Sequence, residues 1–149
     1  MGDQWLILQE LALKLILSAL IGGVIGLERE VADKPAGVRT NALICLGSAL
    51  VMIVSIYVQQ NYGTQAADPA RIAAHVIAGI GFIGAGVILQ SRGSVRGLTT
   101  AATIWAVAGI GLAIGCGFYA AALVSACIIL IVLLVIGRIE KITTKRENK

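Results

Sequence analysis

The side chains of this sequence that could do chemistry are few and fall in short clusters. Glu28-Arg29-Glu30 sets two carboxylates around a guanidinium. Such a triplet can bind a cation, pair with Arg39 or Arg96, or stand solvated at a helix end. Glu28 and Glu30 are the candidate cation ligands. Asp68-Pro69-Ala70-Arg71 reads as a helix start, with Asp68 as cap and Pro69 at the first helical position, where no N–H is needed. Arg71 then snorkels to the interface or pairs with Asp68 or Glu10. Glu10 and Lys14 are four residues apart, the spacing of an ion pair on one helix face. Snorkelling of Lys14 is preferred over a buried proton relay. His75 has no second His with which to build a metal site, so it reads as a hydrogen-bonded packing residue and no metal centre is expected. Cys45, Cys116 and Cys127 are odd in number and lack a C-x-x-C spacing, so they read as small hydrophobes.

Gly79-Ile80-Gly81-Phe82-Ile83-Gly84-Ala85-Gly86 matches G-x-G-x-x-G. A dinucleotide fingerprint also needs a preceding strand and a ribose-binding acid about 20 residues on, and neither is present. Gly79, Gly81, Gly84 and Gly86 instead suggest close helix packing, or a local break that exposes carbonyls to a cavity. Gly22-xxx-Gly26 and Gly111-xxx-Gly115 favour the packing reading. Thr99, Thr100 and Thr103 suit hydrogen bonds within or between helices. No Ser/His/Asp, Cys/His or paired-carboxylate constellation is present, so neither enzymatic activity nor a cofactor is expected.

The elements that carry these residues follow from composition. Of 149 residues, 58% are hydrophobic and 13% charged, with a mean hydropathy of +0.90. Soluble domains carry about 25% charged residues. The chain holds more apolar surface than one small soluble core can hide. The net charge of +4 would suit nucleic acid in a soluble protein, but the basic residues lie between apolar runs, so membrane topology explains them better and no nucleic-acid partner is expected. The sequence predicts an all-α, polytopic bundle of about five transmembrane helices: Leu6–Leu27, Thr40–Gln59, Ile72–Leu89, Leu98–Gly115 and Phe118–Gly137. The connections carry turn chemistry at Lys34-Pro35-Ala36-Gly37, at Asn61, Gly63 and Asp68-Pro69, at Ser91-Arg92-Gly93-Ser94, and at Gly115–Gly117. Residues 1–137 form the membrane domain and 138–149 a short basic cytoplasmic tail. Asp3 and Glu10 stand where a signal peptide would be basic, so the first apolar run is expected to remain as a span.

With the N-terminus outside, ten of the twelve Lys and Arg residues fall on the cytoplasmic side: Arg29, Lys34, Arg39, Arg92, Arg96, Arg138, Lys141, Lys145, Arg146 and Lys149. Trp5, Tyr57, Tyr62 and Tyr119 then lie near the outer interface, and Trp105 is expected inside the bundle. Gly23-Val24-Ile25 with Val38-Arg39-Thr40 loosely echoes Gly86-Val87-Ile88 with Val95-Arg96 and Thr99, which suggests a weak parallel repeat of two hairpins.

Three ordered blocks resemble the MgtC/SapB family. The first is Ile21-Gly22-Gly23-Val24-Ile25-Gly26-Leu27-Glu28-Arg29-Glu30 with Ala36-Gly37-Val38-Arg39-Thr40-Asn41-Ala42-Leu43. The second is Asp68-Pro69-Ala70-Arg71-Ile72-Ala73-Ala74 with Gly79–Gly86. The third is Val95-Arg96-Gly97-Leu98-Thr99-Thr100-Ala101-Ala102-Thr103-Ile104-Trp105. The resemblance marks Glu28, Arg29, Glu30, Gly37, Arg39, Thr40, Asp68, Pro69, Arg71, Gly79, Gly81, Gly84, Gly86, Arg96, Gly97, Thr99 and Thr100 as motif residues. It implies a five-helix module in a bacterial inner membrane and a link to adaptation to low magnesium. Its virulence-associated members are regulators of other membrane proteins, the ATP synthase among them. Thr99 stands where those members carry Asn, and His75 where the family usually has Gln. Longer members add a soluble C-terminal domain.

The expectation is a non-enzymatic protein in the lipid bilayer of the inner membrane, acting by contact with other inner-membrane proteins, with a homodimer as a further candidate. The alternative is a small, oligomeric transporter or channel for Mg²⁺ or protons.

Overall fold

The computed structural model describes residues 2–62, 68–91 and 94–137. Five helices follow one another: α1 (Gly2–Val31), α2 (Val38–Tyr62), α3 (Ala70–Gly86), α4 (Leu98–Gly115) and α5 (Tyr119–Ile131). A π-helical turn, Val132–Ile136, continues α5. Four segments are long and apolar enough to cross a membrane: Gln4–Val31, Val38–Tyr62, Leu98–Gly115 and Tyr119–Ile136. α3 has 17 residues, about 26 Å at 1.5 Å per residue, and falls just short of the roughly 30 Å hydrocarbon core.

A helix lies at each of the five expected positions, four of them long enough to span, with α4 at the expected bounds. α1 and α2 run longer, because charged and polar residues at a membrane end do not stop a helix. α3 stops at Gly86 instead of Leu89. Leu89–Ser91 and Ser94–Arg96 pair instead as a small antiparallel hairpin, β1 and β2, with Leu89 opposite Arg96. This is the departure from an all-helical chain. Gly97 closes it at φ +90°, where a Cβ would strike the Val87 carbonyl. Gly63, Arg92, Gly93 and the tail residues 138–149, with Arg138, Lys141, Lys145, Arg146 and Lys149, lie outside the described residues.

Close approaches give the sense of each helix. Gly26 abuts Gly37 and Val38, and Gly22 abuts Asn41 and Cys45, so α1 and α2 are antiparallel. Gly111 abuts Cys45 and Ser48, and Gly115 abuts Ala49 and Met52, so α2 and α4 are parallel. Gly84 meets Ala101 while Gly97 meets Val87, so α3 and α4 are antiparallel. α2 and α4 form the centre, with α1 along α2, α3 along α4, and α5 against α4 and α1. The core is Ile25, Ile44, Cys45, Ile104, Val107, Ala108, Ile110 and Ile114, all buried. The two hairpins thus share one sense, as a repeat requires. Their matched glycines differ: Gly23 faces Val38 at 3.9 Å, while Gly86 faces open space.

Much of the outward surface is apolar. Trp5, Leu13, Leu20, Leu43, Phe82, Val124 and Ile131 are among many large exposed hydrophobics. Such a surface suits lipid and would be a liability in water. Trp5, Tyr57 and Tyr62 are exposed and fall at one end of the bundle. Trp105 differs from expectation: it is 54% exposed and lines an apolar groove of about 350 Å³ between α4 and α5. Small residues line the same groove: Gly109 and Ala113, on α4 with Trp105, and Ala121 and Ala122 on α5.

Candidate functional site

The motif residues gather at the two ends of the bundle and along α3. At the first end meet the end of α1, the start of α2, the end of α3 and the start of α4. Ile25 is fully buried, and Glu28 and Arg29 follow it by three and four residues, so both stay on the inward face of α1. Their side chains are only 11% and 6% exposed, and Arg29 Nε lies 3.1 Å from Glu28 Oε2. Glu30 points elsewhere, since residues two apart on a helix lie on nearly opposite faces. Its Oε2 accepts a hydrogen bond from the Val38 N–H at 3.1 Å. A carboxylate there satisfies the first amide of α2 and favours the positive end of its dipole. The structure therefore does not bring Glu28 and Glu30 together as a pair of cation ligands. Among the described residues, no group of three or more His, Cys, Asp or Glu is placed to hold a metal.

The loop from α1 to α2 turns on Asp33 and Ala36, with φ of 55° and 60°. Asn41 ties it down. Its Nδ2 donates to the Ala36 carbonyl and, at 3.1 Å, to the Gly37 carbonyl, and the residue is fully buried. Sequence reasoning quoted Asn41 within a motif but gave it no role. The available signal was an amide one turn into a helix that follows a Pro-Ala-Gly turn, well placed to bond that turn's carbonyls. Arg39 and Thr40 are exposed on the first turn of α2, and Arg96 is exposed on β2. Among the described residues no ion pair joins Arg39 or Arg96 to Glu28 or Glu30. Thr99 is exposed, and its carbonyl accepts from Thr103 Oγ1 at 2.8 Å, while Thr100 and Thr103 are buried.

At the opposite end, Asp68 Oδ1 accepts from the Ala70 N–H at 2.8 Å, and Pro69 has helical dihedrals. The Asp68 carboxylate thus satisfies the first amide of α3, and Pro69 stands immediately before the helix. Ser55 on α2 donates to the Pro69 carbonyl and fixes where α3 enters. Arg71 is exposed, and among the described residues forms no ion pair with Asp68 or Glu10. Lys14 pairs with Glu10 at 2.7 Å and is itself 13% exposed, so the i,i+4 pair forms within the span. His75 is exposed on α3.

The glycine run divides. Only Gly84 touches a neighbouring helix, where a Cβ would meet the Ala101 Cβ at 3.6 Å. Gly79, Gly81 and Gly86 have open space where a Cβ would go, and Phe82 is 86% exposed. Close packing by the run is limited within this chain to Gly84. No break interrupts α3 between Ala70 and Gly86.

A model of the MgtC family matches residues 15–142. The chain is 49% identical over 131 residues to Protein SapB of Bacillus subtilis, which covers 85% of this chain and 56% of that protein. It is 46% identical over 143 residues to the putative magnesium transporter YhiD of Escherichia coli K12, covering 94% and 65%. It is 45% identical over 118 residues to Protein MgtC of Salmonella typhimurium, covering 79% and 48%. The chain thus spans about half to two thirds of the length of these relatives. No solved structure matches it. The blocks quoted from the sequence, the apolar helices that carry them and these relatives agree: the chain belongs to the MgtC family.

Proposed function

We propose that this chain is a non-enzymatic, multi-pass protein of the bacterial inner membrane that serves magnesium homeostasis by contact with other membrane proteins. Its relatives named putative magnesium transporter and MgtC support the magnesium part. The carrying observation for contact is α3. Gly79, Gly81 and Gly86 meet nothing within 4 Å, and Phe82 beside them is 86% exposed. Small residues on a membrane helix let a second helix approach closely. Arg29, Lys34, Arg39 and Arg96 gather at one end of the bundle, which supports that end as cytoplasmic and the N-terminus as outside.

Purification in mild detergent from cells starved of magnesium, at native expression, tests contact. A discrete membrane partner is expected, and its loss on Gly79→Leu. Absence of any partner contradicts the reading.

The second reading is a small transporter of Mg²⁺ or protons, favoured by the buried Glu28–Arg29 pair. Proteoliposome flux that disappears on Glu28→Gln would establish it, and silent liposomes holding folded protein would remove it.

A further inference from the structure

α4 is the central helix, yet it is not enclosed. α3 lies along α4 and α2, α5 lies along α4 and α1, and α3 and α5 do not pack along each other. On α4, Ala101 turns to α3. At about 3.6 residues per turn, Trp105 and Gly109 fall between that side and the side that meets α5. The groove they line with Ser125 of α5 therefore opens beside α3. α3 has the opposite shape. Ala73, Ile80 and Gly84 are its buried side. Arg71, His75 and Phe82 form one exposed line pointing directly away from it, with the exposed Gly79 and Gly86 alongside. One surface is a ridge flanked by small residues, and the other is a groove floored by them.

We propose that this chain forms a two-fold dimer about the membrane normal, in which α3 of each copy lies in the α4–α5 groove of the other. The inference rests on the reading of α3 as a contact face and names the protein that meets it. Rotation about the normal keeps every residue at its own depth, so register decides the fit. Within one chain Gly84 meets Ala101 and Gly97 meets Val87. That register sets Phe82 about level with Thr103, and His75 about level with Ile110. Phe82 therefore reaches the other copy within about 3 Å of the depth of Trp105, where the two rings can meet edge to face. His75 arrives level with Ser125, which lines the groove with Gly109 and Ile110. Both side chains are exposed on apolar helices, and among the described residues neither forms a hydrogen bond. Lipid offers such groups no partner, and the dimer pairs the imidazole with the hydroxyl. Asp68 and Arg71, at the start of α3, are exposed charges of opposite sign. Among the described residues they form no ion pair with each other. The two copies of α3 run parallel and side by side at the axis, so each Arg71 comes within about one turn of the other copy's Asp68. Gly79 and Gly86 let the backbones approach. Each copy supplies both surfaces, so the contact closes at two subunits.

The test is photo-cross-linking in membranes that hold two differently tagged copies of the whole chain, one with a photoreactive aromatic residue at position 82. The expected adduct carries both tags, and mass spectrometry places the attachment in the α4–α5 groove, at or beside Trp105. Gly109→Leu in the other copy should lower the yield at least ten-fold. A Cβ at Gly109 meets nothing within 4 Å, so the new side chain fills the groove and leaves the chain's own packing alone. A second arm uses copies with Cys45, Cys116 and Cys127 replaced by Ala. With His75→Cys in one copy and Ser125→Cys in the other, mild oxidation should join the two tags through a disulfide. Ala73→Cys, on the buried side of α3, should not do so in place of His75→Cys. An adduct with a different protein overturns the dimer and leaves α3 standing as a contact face, whereas adducts with lipid alone overturn both. An adduct between copies that maps away from the groove, or that Gly109→Leu leaves unchanged, also overturns the dimer. So does a failure of the His75→Cys and Ser125→Cys copies to cross-link.

Discussion

Gly97, at φ +90°, has the Val87 carbonyl where a Cβ would lie, whereas Gly79 has open space. The sequence lists both simply as glycine, and neither spacing nor composition separates them. Gly97→Ala is expected to cost more than about 2 kcal/mol, through left-handed strain plus a backbone clash. Gly79→Ala should leave the isolated chain unchanged or raise its stability by up to about 1 kcal/mol, because Ala is the better helix former. Thermal unfolding in detergent, followed by circular dichroism, distinguishes the two; a large loss for Gly79→Ala would mean that this face is packed within the chain. Asn41→Ala removes two hydrogen bonds to loop carbonyls and is expected to cost about 2–3 kcal/mol in the same assay. The roles of Asn41 and Glu30 were hidden for one reason. Glu30 caps a helix that begins eight residues later, and Asn41 reaches five residues back, so each contact depends on how the loop folds.

α4 is legible because Arg96-Gly97 and Cys116-Gly117 bracket an unbroken apolar run, and its expected bounds match the observed Leu98–Gly115. The ends of α1 and α3 are less legible. α1 continues through Glu28-Arg29-Glu30 because the inward residues bury and Glu30 finds an amide on α2. α3 ends early because Gly97 packs under Val87 and the chain turns into three-residue strands, too short for a period-two pattern to announce. The start of α3 depends on two contacts visible only in three dimensions or partly so: Asp68 on the Ala70 amide and Ser55 on the Pro69 carbonyl. Asp68→Ala is expected to speed hydrogen exchange at the first turn of α3 while leaving α2 protected. Equal exchange in both proteins would show that the cap does not hold that turn.

Across the whole molecule, the alternating helix senses put Arg29, Lys34, Arg39 and Arg96 at one end and Cys116 at the other. This alternation was readable from charge placement, since the basic loops are what the bilayer sorts. The outward faces were not readable, because in lipid an apolar residue serves equally well against a neighbour or a hydrocarbon tail. The orientation predicts that, in a chain with Cys45 and Cys127 replaced by Ala, a membrane-impermeant maleimide labels Cys116 on intact spheroplasts; labelling only after lysis would reverse it. The central claim is that α3 presents its open glycine face to another membrane protein. A photoreactive aromatic residue at position 82, in cells grown in low magnesium at native expression, tests it most directly. The account predicts one discrete protein adduct, absent from a probe at the buried position 104 and lost on Gly79→Leu. Adducts to lipid alone, or a protein adduct indifferent to Gly79→Leu, would contradict it.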